Sequence, residues 1–325
     1  MVRPSARRAL GGPAARTVRS GGMGPAMNKS GNLCITGVAG FIGGHVAREA
    51  LRRGYRVTGI DWNQCHAGGV AFTKGDIRDK DHVASVMRDQ DYVIHLAAIT
   101  SNVEFVRNPP ECYDINVNGF LNVMEAAARS GCKRFIYASS AAVYTDCFSE
   151  ETVIDPSRIE NHYAKSKIMN EMAAKSYQDI YTIKTTGLRY FNVYGAGENQ
   201  KGDYASIVTL LLNAGKSGKP LILYGDGRQA RDLIHVSDAA RITVELLEKS
   251  SYDVYNVGTG VATAYESIAE MIDRRRIVHV PNPLPSYQYY TKAETARLRA
   301  ALGDYAVLDV ATGLKHLEAE LRGKA

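Results

Sequence analysis

The stretch TGVAGFIGGH, Thr36–His45, decides how this chain is read. Gly37, Gly40 and Gly43 stand three residues apart within it. A glycine triplet alone is a weak signal, but its setting here is specific. NLCIT (32–36), before it, has the apolar character of a short buried strand, and FIGGHVAREALRRG, after it, reads as a helix ending at Gly54. Strand, glycine turn and helix in that order form a dinucleotide site. The glycines permit a tight turn and close approach of backbone N–H groups to a pyrophosphate, and the helix N-terminus adds partial positive charge. YRVTGID (55–61) follows as a second strand and ends in Asp61, 18 residues beyond Gly43. A carboxylate there accepts hydrogen bonds from the adenosine ribose and repels a 2′-phosphate, so NAD is expected rather than NADP. VAFTKGD (70–76) ends in Asp76, suited either to the adenine edge or to a helix N-cap region.

The same rhythm runs outward. DYVIHLAA (91–98) follows a helical stretch, PPECYDINVNGFLNVMEAAARSG reads as one long helix closed by Gly131, and KRFIYASS (133–140) is the next strand. Such alternation gives βαβ units and a parallel sheet, here an α/β, Rossmann-type doubly wound fold. The second half is less regular. KTTGLRYFNVYG (184–195) reads as a strand running into a loop, with helices expected over 204–215, 237–249, 264–274 and 309–321. Short strands are expected at LILYG (221–225), DLIHV (232–236) and VYNVG (254–258). Residues 31–183 are read as mainly the dinucleotide-binding domain, and 184–325 as mainly a smaller substrate lobe with strands returning to the sheet.

The net charge of +6 resides in the first 30 residues, where Arg3, Arg7, Arg8, Arg16, Arg19 and Lys29 meet no acidic residue. The remaining chain is balanced, which argues against a nucleic-acid surface. The basic segment is rich in Gly, Ala and Pro, lacks hydrophobic periodicity and is expected to be disordered. Its composition resembles an organelle transit peptide; an upstream start, with Met23 or Met27 as the true one, accounts for it equally well. No apolar run approaches the ~18 residues of a membrane-spanning helix. The five cysteines, Cys34, Cys65, Cys112, Cys132 and Cys147, include no C-x-x-C pair. They suggest neither a disulfide framework nor a metal site, and point to a reducing, cytoplasmic compartment.

NHYAKSKIMNE (161–171) places Tyr163 and Lys167 one helical turn apart, on one face. Such a pair is often only a tyrosine packed on a lysine stem. Alternatively, the ammonium lowers the hydroxyl pKa from its usual ~10, so that tyrosine can carry a proton near neutral pH.

TGVAGFIG, GDIRD, HLAA, YASSAAVY and YAKSK, in this order, resemble the extended short-chain dehydrogenase/reductase family, and most closely its nucleotide-sugar epimerases. The resemblance covers residues 32–315. It implies that Tyr163 is the acid/base acting on a sugar hydroxyl, that Lys167 holds the nicotinamide ribose and lowers the tyrosine pKa, and that Ser140, four residues before Tyr144, binds the same substrate oxygen. It implies a cofactor site of Gly37, Gly40, Phe41, Ile42, Gly43, Asp61, Asp76, Ile77, Leu96, Ala97 and Ala98, with Tyr163 and Lys167. RYFNVYG and YGDGRQARDLIHV match substrate segments, so Asn192 is expected on the diphosphate or sugar and Arg231 on the diphosphate. Related sugar dehydratases and uronic-acid decarboxylases carry acidic residues after the Ser/Thr, where this chain has Ala141 and Ala142. Two methyl groups cannot supply a second acid/base, so dehydration is not expected.

The resemblance thus implies an NAD-dependent epimerase of a nucleotide-diphospho-sugar, with a UDP-hexose inverted at C4 as the leading substrate. An ADP-heptose inverted at C6 is the alternative, with Lys201 as a second acid/base facing the substrate opposite Tyr163. A net reductase or dehydrogenase and a non-catalytic NAD sensor are further alternatives. A homodimer through the runs at 109–130 and 161–178 is also implied.

Overall fold

The computed structural model describes residues 31–145, 148–283 and 288–322, so the basic N-terminal segment and Cys147 lie outside the described residues. The first half alternates strand and helix: β1 (Asn32–Thr36), α1 (Phe41–Arg52), β2 (Arg56–Asp61), β3 (Ala71–Lys74), α2 (Lys80–Met87), β4 (Tyr92–His95), α3 (Asn102–Arg107), α4 (Pro109–Tyr113), α5 (Phe120–Arg129), β5 (Arg134–Ser140), α6 (His162–Tyr181) and β6 (Lys184–Tyr190). The second half holds β7 (Asn192–Tyr194), α7 (Ile207–Lys216), β8 (Leu221–Tyr224), β9 (Ala230–His235), α8 (Val236–Lys249), β10 (Val254–Val257), β11 (Ala262–Ala264), α9 (Tyr265–Asp273), β12 (Ile277–Val280), α10 (Ala296–Leu302) and α11 (Val310–Arg322).

Seven strands form one parallel sheet in the order β10-β6-β5-β4-β1-β2-β3. The order reverses at β1, between β4 and β2, which opens a crevice beyond the carboxyl ends of those strands, where such folds bind ligands. The sheet is covered on both faces, as its near-continuous apolar strands require. Val46, Ala47 and Ala50 of α1 and Ile242, Leu246 and Leu247 of α8 pack on one side. Val83 and Met87 of α2, Val123 and Ala127 of α5 and Ala174 of α6 pack on the other. Two small sheets, β11-β9-β7 and β12-β8, with α7, α9 and α11, enclose a separate apolar cluster at the crevice mouth.

The long helix expected over 109–131 is divided. Between α4 and α5, residues Asp114–Gly119 form a π-helical turn. It turns Asn116 inward, where the side chain accepts from Ile99 N (2.8 Å) and donates to Ile99 O (2.9 Å). The sequence gives no separate signal for α3, α10, β11 and β12, all seven residues or shorter.

Candidate active site

The crevice holds a cleft of about 200 Å³. Gly37 and Gly40 line its floor, Leu96, Ala97 and Ala98 one wall, and Asp61, Trp62, Asp76 and Ile77 its far end. The backbone, not side chains, shapes that floor. Gly37 has φ +73°, and a Cβ there would lie 2.6 Å from Ala97 N. A Cβ on Gly43 would lie 2.0 Å from Gly37 O. No side chain caps α1 at Gly40, so its first N–H groups remain for an anion. This arrangement fits a dinucleotide pyrophosphate. Phe41 and Ile42, expected in the cofactor site, pack their side chains against the core and do not line the cleft.

Asp61 ends β2 as expected. Its Oδ2 accepts from Ala39 N in the glycine turn (3.0 Å) and its Oδ1 from Asn63 N (2.9 Å). Both bonds come from backbone, and each oxygen keeps a lone pair for a ribose hydroxyl. Asp76 is not the N-cap of the following helix, because Asp79 caps α2 by accepting from His82 N (3.0 Å). The Asp76 carboxylate instead grips Arg78 (Nη2–Oδ2 2.6 Å), which holds its pKa below the usual carboxylate range.

Tyr163 and Lys167 share one face of α6, whose N-terminus is capped by Asn161 accepting from Ala164 N (2.9 Å). Ser140, the last residue of β5, lies close enough to the Tyr163 hydroxyl to favour its ionised form, so three residues from two elements come together. The π-helical turn supports them from below. Asn116 Nδ2 donates to Ser166 Oγ (3.1 Å), and Ser166 Oγ donates to Tyr163 O (2.7 Å). Sequence reasoning missed this prop; its one trace is an asparagine amid apolar helix positions.

Burial, not the expected downward pull of Lys167, dominates at the tyrosine. It pushes the Tyr163 hydroxyl up, and Ser140 is what draws it back. Lys167 is 2% exposed, and its Nζ stands 5.6 Å from the centre of the Tyr163 ring. It is itself stripped of water, which lowers its pKa to about 8.

A second cavity of about 510 Å³ lies in the smaller lobe, walled by Leu210 and Ala214 of α7, Ile222 and Tyr224 of β8, and Tyr265. Nothing in the sequence reading anticipated it, because its walls are separate segments brought together only by folding. Arg231 is not a surface charge: it is 6% exposed, and its guanidinium lies 5.8 Å from the centre of the Tyr265 ring. Asn192 is half-buried on β7, its Nδ2 donating to Asp232 O (3.3 Å) and Thr291 Oγ1 (3.4 Å). Lys201 is drawn to the buried Glu198 (3.1 Å), with its Nζ 4.7 Å from the centre of the Phe41 ring. Among the described residues, no group of three or more His, Cys, Asp or Glu could hold a metal ion, and no helix is long and apolar enough to cross a membrane.

A glycine-floored crevice together with a Ser–Tyr–Lys set defines a dinucleotide-dependent enzyme of the short-chain dehydrogenase/reductase type. The chain belongs to the NAD-dependent epimerase/dehydratase family, whose model matches residues 33–258. It is 32% identical to a UDP-N-acetyl-α-D-glucosaminuronate decarboxylase of Bacillus cytotoxicus, over 76% of this chain and 82% of that one. It is 30% identical to a putative UDP-glucose 4-epimerase of Methanocaldococcus jannaschii (88% and 96%) and 31% identical to an ADP-L-glycero-D-manno-heptose-6-epimerase of Alkalilimnicola ehrlichii (87% and 95%). The crystal structure of a Thermotoga maritima UDP-glucose 4-epimerase with UDP-glucose superposes with a TM-score of 0.82 at 26% identity, covering 90% of this chain and 99% of that one. The protein is an NAD-dependent epimerase-type enzyme, and its cofactor is NAD.

Proposed function

We propose that the protein is a UDP-hexose 4-epimerase that works by transient oxidation to a keto sugar. The observation that carries this reading is the Ser140–Tyr163–Lys167 set beside a loop that offers only Ala141 and Ala142. Such a site can move one proton to and from one hydroxyl, but has no second acid there to expel a leaving group. NAD, when bound, supplies the acceptor and donor of a hydride. Ser140 orients the C4 hydroxyl, Tyr163 takes its proton, and Lys167 Nζ sits beneath to hold the nicotinamide ribose. The keto sugar is presented by its other face, and Tyr163 returns the proton, so no net redox change results.

The second cavity suits the nucleotide end. Its apolar walls with Tyr224 and Tyr265 suit a base, and Arg231, its guanidinium 5.8 Å from the centre of the Tyr265 ring, is assigned to the diphosphate. Asn192 lies on the same strand as the return into that lobe and is assigned to the sugar or diphosphate. Lys201 is not assigned a proton here, since its ammonium is already paired with Glu198. On this reading the heptose alternative lacks a second acid/base at Lys201. We also infer a homodimer, because Met169, Met172 and Ile180 expose apolar area along α6; a monomer by light scattering would dismiss it.

The test is mass spectrometry of nucleotides released from the denatured protein, then incubation with UDP-, GDP-, ADP- and dTDP-sugars. The expected result is NAD and C4 inversion of a UDP-hexose without accumulation of NADH. Release of CO₂, stoichiometric NADH, or inversion of ADP-heptose alone would overturn the reading.

A further inference from the structure

A row of buried polar residues crosses the sheet one step below Ser140. Ser139 of β5 is paired in register with Arg189 of β6, and Arg189 with Asn256 of β10. All three are at most 5% exposed. Glu171 reaches this row from α6, one helical turn beyond Lys167 and two beyond Tyr163. Its Oε1 accepts from Ser139 Oγ (2.5 Å) and Arg189 Nε (2.9 Å), and its Oε2 from Arg189 Nη2 (2.6 Å). Arg189 Nη1 donates to Tyr144 Oη (2.8 Å), with the guanidinium 4.8 Å from that ring's centre, and Tyr144 Oη donates to Asn256 Oδ1 (2.8 Å).

A buried ion pair is a poor source of stability, because the desolvation of both charges offsets their attraction. What this one does provide is geometry. Ser140 and Tyr163 belong to different elements and must stay within hydrogen-bonding reach. Ser140 lies between two anchored residues: Ser139 is tied to Glu171, and Tyr144 is tied to Arg189. The same carboxylate belongs to the helix that carries Tyr163 and Lys167. The planar guanidinium fork fixes both distance and angle, which a lysine could not.

We propose that Glu171, held by Arg189, is a positioning residue that sets Ser140 against Tyr163; this rests on the acid/base role given to that pair above. Neither residue lines the cofactor cleft or the second cavity, so substrate and NAD binding do not depend on them directly.

The experiment uses the full chain with a UDP-hexose and reads kcat, KM, NAD content per chain and melting temperature for Glu171→Gln, Arg189→Lys, their double variant and Ser139→Ala. For Glu171→Gln, kcat is expected to fall on the order of 10- to 100-fold, as displacements of about 1 Å do, while KM and NAD content hold. Arg189→Lys should lose as much, and the double variant little more, because one unit is broken only once. Ser139→Ala removes a single hydroxyl and folds even if the charge variants do not; its kcat should fall with KM unchanged. Wild-type kcat in folded, NAD-loaded Glu171→Gln and Ser139→Ala overturns the proposal. So does a loss that merely follows the NAD-loaded fraction. Tyr163→Phe, run beside them, separates the two readings: full turnover there overturns the acid/base assignment itself, whereas a dead Tyr163→Phe with active Glu171→Gln and Ser139→Ala overturns only the positioning role.

Discussion

Around the cofactor cleft, positions are set by backbone: Gly37, Gly40 and Gly43 leave room that any Cβ would take, and Asp61 is held by the N–H groups of Ala39 and Asn63. Around the second cavity, they are set by buried carboxylates. Glu198 accepts from Lys201 Nζ (3.1 Å), Ser206 N (3.0 Å), Ser206 Oγ (2.7 Å) and Thr209 Oγ1 (2.7 Å). Asp232 gathers Thr259 N (2.7 Å), Thr259 Oγ1 (2.8 Å), Gly260 N (2.8 Å) and Ala293 N (3.0 Å). The contrast is physical. A sheet end presents its amides in a fixed array, so the cofactor side needs only absent side chains and one carboxylate held by backbone. The smaller lobe has two short sheets and must pin its loops through charge-assisted hydrogen bonds.

The sharpest separation of the two sides comes from Tyr163→Phe. Turnover is expected to fall on the order of 10²–10⁴-fold, while NAD remains bound, as read by nucleotide released on denaturation. Loss of both together would mean that the acid/base group and the cofactor cradle are not separable. Glu198→Ala probes the other side. It strands three hydroxyl or amide donors and should cost about 3 kcal/mol in denaturant unfolding, raising KM for the sugar nucleotide at constant NAD affinity. A weakened NAD affinity would break the contrast.

Lys167→Met tests what the cofactor side gives up for its chemistry. Burial lowers the Lys167 pKa from its ordinary 10.5 to about 8 in the fold. Between those values the unfolded chain binds more protons, so stability rises with pH through that window, and below it the buried charge is a burden. In NAD-free protein at pH 7, Lys167→Met should therefore be more stable by about 3 kcal/mol, and the gain should vanish above pH ~10.5. A pH-independent difference between the two chains would show that the ammonium is not desolvated. Asp61→Ala should reduce the preference for NAD over NADP by about tenfold, the worth of one charge-assisted hydrogen bond; an unchanged ratio of dissociation constants would move that selectivity elsewhere. Smallest of all, Lys201→Met should alter turnover by no more than about twofold, as surface changes do. A large loss would restore Lys201 as a proton carrier and revive the heptose alternative.

The contrast also explains what the sequence disclosed. The placement of Gly37, Asp61, Ser140, Tyr163 and Lys167 was legible because each is fixed by a spacing along one strand, turn or helix. The large sheet was legible for the same reason, in its alternation of apolar runs. Asp232 and Ala293, by contrast, are joined across 61 residues by one hydrogen bond, and no local pattern relates them. The second cavity and the π-helical turn at Asp114–Gly119 were hidden likewise. The tyrosine pKa was misjudged for a subtler reason. A four-residue spacing places two side chains on one face, but does not say whether the ammonium meets the hydroxyl or the ring.

Trp62 is the chain's single tryptophan, and it lines the end of the cleft beside Asp61 with 43% of its surface exposed. The protein's indole fluorescence therefore has one source, located where the cofactor arrives. Its emission reports from that spot alone, and a reduced nicotinamide nearby would receive its excitation by energy transfer. Cofactor arriving in the cleft would therefore be readable from Trp62 without a label.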